Sequence, residues 1–117
     1  MPRREPDFGH IYGVAPVLIN DRHRTPRRCA IAQAREDYIT VFGRTTQVHL
    51  YNAATDLLSD PEPACRLDKP GMYTTRHKYS VMREDFDDVL KAEYYGTLGA
   101  VSFDRFLDYW ERQLGLR

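Results

Sequence analysis

The stretch Arg22-His23-Arg24-Thr25-Pro26-Arg27-Arg28-Cys29-Ala30-Ile31-Ala32-Gln33, followed through Tyr38-Ile39-Thr40-Val41-Phe42 to Thr45-Thr46-Gln47, decides how the chain is read. Short apolar runs bounded by polar clusters read as strands. Residues 28–33 and 38–42 therefore pair as a hairpin across the charged turn Ala34-Arg35-Glu36-Asp37, with Gly43 ending the second strand. Residues 20–27, closed by Pro26, read as a basic loop leading into the first. Two neighbouring strands can then offer an arginine and a threonine to one anion. A guanidinium with a hydroxyl can grip a phosphodiester without metal ligands.

Before this hairpin, Ile11, Tyr12, Val14, Val17, Leu18 and Ile19 form a β-rich stretch that Gly13 and Pro16 bend or bulge. After it, Val48, Leu50 and Tyr51 read as a third short strand, and 53–58 as a helical turn. Pro61, Pro63 and Pro70 then exclude a central strand between them. Tyr73 to Met82 regains β character, whereas 83–95 fits a helix or an extended segment equally. At the C-terminus Phe103, Phe106, Leu107, Trp110 and Leu114 recur at helical spacing, with Ser102 as cap and Gly115 as stop. Such a stripe is core packing. A short barrel closed by this amphipathic helix is the architecture the pieces favour.

A chain of 117 residues that is 42% hydrophobic supports one core, so a single domain over 1–117 is expected, with 1–8 as a flexible tail. No apolar run approaches the roughly 18 residues of a membrane span, and the interrupted N-terminus does not resemble a secretion signal. A cytoplasmic protein is the expectation. Cys29 and Cys65 are too few for a disulfide scaffold or a zinc cluster, and Cys29 reads as a buried core residue. His10, His23, His49 and His77 show no metal-ligand spacing. Tyr12 and Tyr51 are the aromatic candidates for base stacking. Net charge is zero, yet residues 1–50 carry 8 Lys+Arg against 5 Asp+Glu, while 51–117 carry 9 against 12. That local excess suits a single-stranded or looped target better than a duplex surface.

The order Gly9-His10-Ile11-Tyr12, Arg27-Arg28-Cys29-Ala30-Ile31-Ala32, Thr45-Thr46-Gln47, Leu67-Asp68-Lys69-Pro70-Gly71-Met72-Tyr73 and Gly96-Thr97-Leu98 resembles the MazF/PemK family of toxin ribonucleases over nearly the whole chain. The resemblance implies an SH3-like β-barrel and a homodimer whose groove takes single-stranded RNA. It further implies cofactor-free and metal-independent cleavage by the RNA's own 2′-hydroxyl, growth inhibition, and an acidic antitoxin or host protein as partner. Carried over residue by residue, the strand-leading catalytic arginine is Arg27, with Arg24 and Arg28 as alternatives for that role. The phosphate-holding threonine is Thr45, with Thr46 in the serine position. Arg22, His23, Arg24, Arg28, Thr46 and Gln47 are the surrounding candidates for RNA contact. The family's proline after the arginine is replaced by Arg28, its aspartate after Gly9 by His10, and its serine after Lys69-Pro70 by Gly71. These replacements favour a second expectation, a catalytically inactive barrel that binds protein or nucleic acid and modulates a host complex.

Overall fold

The computed structural model describes residues 5–19 and 24–116. The protein is mainly β with one C-terminal helix. Six strands, β1 (His10–Val14), β2 (Arg27–Ala34), β3 (Tyr38–Thr45), β4 (Asp56–Ser59), β5 (Gly71–Met82) and β6 (Ala92–Thr97), precede helix α1 (Ala100–Gln113). They form one antiparallel sheet in the order β4-β5-β3-β2-β1-β6. Its edges are β4 and β6, which do not pair with each other among the described residues.

The hairpin lies at the centre of the sheet, and its apolar runs are continuous because both faces are buried. On one face Ala30, Ala32, Ile11, Phe42 and Tyr73 meet Phe106, Tyr109 and Trp110 of α1. The small alanines leave room for the rings, and Phe42 makes edge-on contacts with Phe106, Tyr109 and Trp110 at 5.5–5.9 Å between centroids. On the other face Cys29, Ile31, Ile39, Val41, Val14 and Val81 gather with Ile19 and Phe86. Phe86 belongs to a 3-10 turn, Arg83–Asp87, that touches β3, β5 and β6, so strands far apart in the sheet order meet one cover. Phe8 also packs on α1, with its ring 5.0 Å from Phe103 and 5.4 Å from Phe106.

Several local expectations are corrected. Val48–Leu50 is an exposed 3-10 turn rather than a strand, because its amides bond locally: Val48 N–H reaches Thr46 O at 2.9 Å and Leu50 N–H reaches Gln47 O at 3.1 Å. Of the helical turn expected over 53–58, only a single turn at 53–55 is present, where Thr55 N–H and Asp56 N–H both donate to Asn52 O at 3.1 and 2.9 Å. Asp56–Ser59 pairs with Gly71–Thr74 as edge strand β4, its entry fixed where the Asp56 carboxylate accepts the Asn52 N–H at 2.9 Å. The β-rich start is β1 followed by a 3-10 turn at Pro16–Leu18. The undecided 83–95 segment resolves into the Arg83–Asp87 turn and the start of β6. Helix α1 begins at Ala100, two residues before the expected cap Ser102. The residue before it, Gly99, carries no capping side chain, and its N–H donates instead to Glu62 Oε2 at 2.9 Å. Gly115 ends the helix as expected, at φ +77°.

Candidate functional site

The site lies where β2 begins and β3 ends. These strands pair with Cys29 opposite Gly43, and carrying that register two residues outward places Arg27 across from Thr45. Side chains alternate along strands, so Arg27 and Thr45 share the face of Cys29 and Val41, while Arg28 and Arg44 share the helix-covered face of Ala30 and Phe42. A cleft of about 400 Å³ opens over this end. It is walled by Thr25 to Arg28, by Arg44 to Gln47, and by Asp68 and Lys69 from the loop before β5. Four cations, Arg27, Arg28, Arg44 and Lys69, stand against one carboxylate, Asp68, in a chain whose net charge is zero. Such a concave concentration of one sign attracts anions.

Arg27 is half-buried, and its Nη1 donates to Arg44 O at 3.2 Å. Its stem crosses β3 above Gly43, where a Cβ would stand 2.7 Å from Arg27 Cδ and 3.0 Å from His77 Cβ. A glycine is therefore required for the arginine to reach across. The β3–β5 pairing adapts at the same place, stepping from Phe42 opposite Lys78 to Arg44 opposite Tyr73, so that β5 bulges past Gly43. Thr45 Oγ1 accepts the Gln47 N–H at 3.2 Å, which folds 45–47 into a turn and leaves the hydroxyl proton available for donation. Arg28 Nε donates to Arg66 O. Arg66 holds the left-handed conformation at φ 60°, and its guanidinium lies 4.4 Å from the Tyr95 ring centroid.

Arg44 is the most constrained of the cations, at 7% exposure. Its Nε donates to Ser59 Oγ at 3.1 Å, and its Nη2 to Ser59 O at 3.2 Å, Asp60 O at 3.4 Å and Lys69 O at 2.7 Å. All these acceptors are neutral, and among the described residues no carboxylate forms an ion pair with it. Burial, with the nearby charge of Arg28, lowers its pKa, whereas Tyr73 and Glu62 act in the other direction. The Tyr73 hydroxyl is buried beside Arg44, and that burial raises its pKa well above the phenol range despite the Arg44 charge.

Of the candidates named from sequence, Arg27, Arg28, Thr45, Thr46 and Gln47 come together in this cleft. Arg24 is exposed and is not part of its wall, and Arg22 and His23 lie outside the described residues. His10 sits on β1 against Tyr94, with ring centroids 5.2 Å apart, and Tyr12 is buried at 3% exposure, unsuited to base stacking. Tyr51 is exposed. Cys29 is a buried free thiol, as read; Cys65 is buried too, and its pKa is raised by that burial and by Glu62. Sequence reasoning passed over Arg44 and gave Asp68 and Lys69 no role. The usable signal was a charged residue in an otherwise uncharged strand. Among the described residues no group of three or more His, Cys, Asp or Glu side chains is arranged to hold a metal, and no helix is long and apolar enough to cross a membrane.

Fold and cleft together define a small, mainly β domain with an anion-attracting recess at a strand end. Protein-family models and curated proteins give no match to this chain.

Proposed function

We propose that the protein is a MazF/PemK-like, metal-independent endoribonuclease that cleaves single-stranded RNA and inhibits growth. The observation carrying this reading is the meeting of Arg27 and Thr45, from adjacent strands, in one cationic cleft. In the reaction the RNA 2′-oxygen bonds to phosphorus as the bond to the 5′-oxygen breaks, leaving a 2′,3′-cyclic phosphate and a 5′-hydroxyl. Arg27 binds the non-bridging oxygens, whose charge grows in the transition state, and Thr45 donates its hydroxyl to the same phosphate. Arginine keeps its proton across the working pH range. The 2′-hydroxyl proton therefore goes to Asp68, the carboxylate of the cleft wall, and the leaving 5′-oxygen, on the opposite side of phosphorus, takes its proton from solvent water.

The bent sheet is read as an SH3-like barrel, supported by the Arg83–Asp87 turn that spans β3, β5 and β6. A homodimer in the cytoplasm, held in check by an acidic antitoxin or host protein, completes the reading. The test is incubation of purified protein with single-stranded and duplex RNA in a chelator. Cleavage of the single strand alone is expected, and intact RNA at stoichiometric protein would sink the idea.

A second reading, binding without cleavage, has its own observation: Arg27 is engaged by Arg44 O and the Thr45 hydroxyl by the Gln47 amide. It requires RNA or protein capture with no cleavage and no growth arrest.

A further inference from the structure

We propose that Arg44, with Arg28 and Lys69, forms a second phosphate subsite that holds the nucleotide next to the one gripped by Arg27 and Thr45. The assignment rests on the single-stranded RNA reading above. Its first support is electrostatic. A guanidinium at 7% exposure is held, among the described residues, by neutral acceptors and by no carboxylate ion pair, whereas buried cations are ordinarily paired. The carboxylate nearest in influence, Glu62, is occupied in capping Gly99. Arg44 instead faces a cleft that adds two further cations, Arg28 and Lys69.

The second support is geometric. Nε and Nη2 are tied to Ser59, Asp60 and Lys69, while Nη1 packs over Gly71 and the side chain forms part of the cleft wall. The fork is fixed before any ligand arrives, so binding costs little ordering entropy. Gly71 maintains the arrangement: a Cβ there would lie 2.7 Å from Arg44 Cζ and Nη1 and 2.8 Å from Thr45 O. Gly71, which stands where the resemblance expects serine, is thus explained by Arg44. Arg44 and Thr45 are consecutive on β3 and point to opposite faces. A strand of RNA draped over this end meets Arg27 and Thr45 on one side and Arg44 on the other, which suits a charge repeating along a polymer.

The test uses uncleavable 2′-O-methyl RNA decamers of mixed sequence, with binding followed by fluorescence anisotropy over a range of salt. Arg44→Met is expected to weaken binding roughly tenfold or more. It should also lower the magnitude of the salt slope by about 0.7, the value for one phosphate contact on a single strand. Arg44→Lys should keep the slope while losing part of the affinity. In the wild-type protein the Arg44 Nε–H resonance should shift on adding the decamer, a readout independent of whether any variant folds. A folded Arg44→Met protein with wild-type affinity and slope overturns the subsite, as does an Arg44 resonance unmoved at saturating RNA. Equal Arg44-dependent binding of polyglutamate overturns the phosphate assignment. Because the probe cannot be cut, Arg44-dependent binding alongside intact natural RNA would sink the nuclease reading and leave the subsite standing.

Discussion

Gly71 and Arg27 carry the sharpest residue-scale consequences. A Cβ at position 71 would collide with the Arg44 guanidinium and the Thr45 carbonyl. Gly71→Ala is therefore expected to destabilise the fold by about 1–3 kcal/mol, the usual cost of overpacking, read as a lower urea midpoint. An unchanged midpoint would mean that Arg44 moves aside freely. Arg27→Ala should lower RNA cleavage roughly 100- to 1,000-fold, as the loss of one transition-state donor does, while leaving the chain folded. The sequence pattern alone offered an arginine and a threonine on neighbouring strands, and it was the family resemblance that pointed to Arg27 and Thr45, which the fold brings to one cleft. Arg44 was not legible, because its burial depends on acceptors from β4, on the loop before β5, and on the glycine at 71, none of which a local pattern encodes.

At the scale of elements, α1 tests how the helix is started. Glu62 receives the Gly99 N–H, so Glu62→Ala should cost about 1 kcal/mol, the typical worth of a cap, whereas Ser102→Ala should leave the unfolding midpoint unchanged. The opposite ranking would restore Ser102 as the cap. The helical stripe was legible from its period and from Gly115. Its true start was not, because the capping carboxylate arrives from a distant loop. The central hairpin was readable for a related reason: strands buried on both faces keep their apolar runs whole. Edge strand β4 was misread because Ala53 to Leu58 has no alternation long enough to outweigh the helix-like apolar pair Leu57-Leu58, and its partner lies past three prolines.

Across the whole molecule, acid stability is linked to Asp56, whose side chain is fully buried and pairs with Arg76 at 3.2 Å. Burial alone would raise its pKa, but hydrogen bonds from Thr74, the Asn52 amide and Thr55, together with the Arg76 charge, outweigh it and leave the pKa lowered. A depressed folded pKa gives stability that is complete above the unfolded value of about 3.9 and is lost as pH falls through the folded value. The unfolding free energy should therefore drop on acidification below about pH 4. That drop should be shallower in Asp56→Asn, and equal acid limbs would contradict the linkage. The proposed function turns on the cleft at the end of β2 and β3, and the most direct measurement is the chemistry of the RNA ends. Single-stranded RNA incubated with the protein in excess chelator should yield 2′,3′-cyclic phosphate and 5′-hydroxyl termini, and Arg27→Ala should not. RNA left intact by a folded protein, or termini unchanged by the Arg27 substitution, would contradict it.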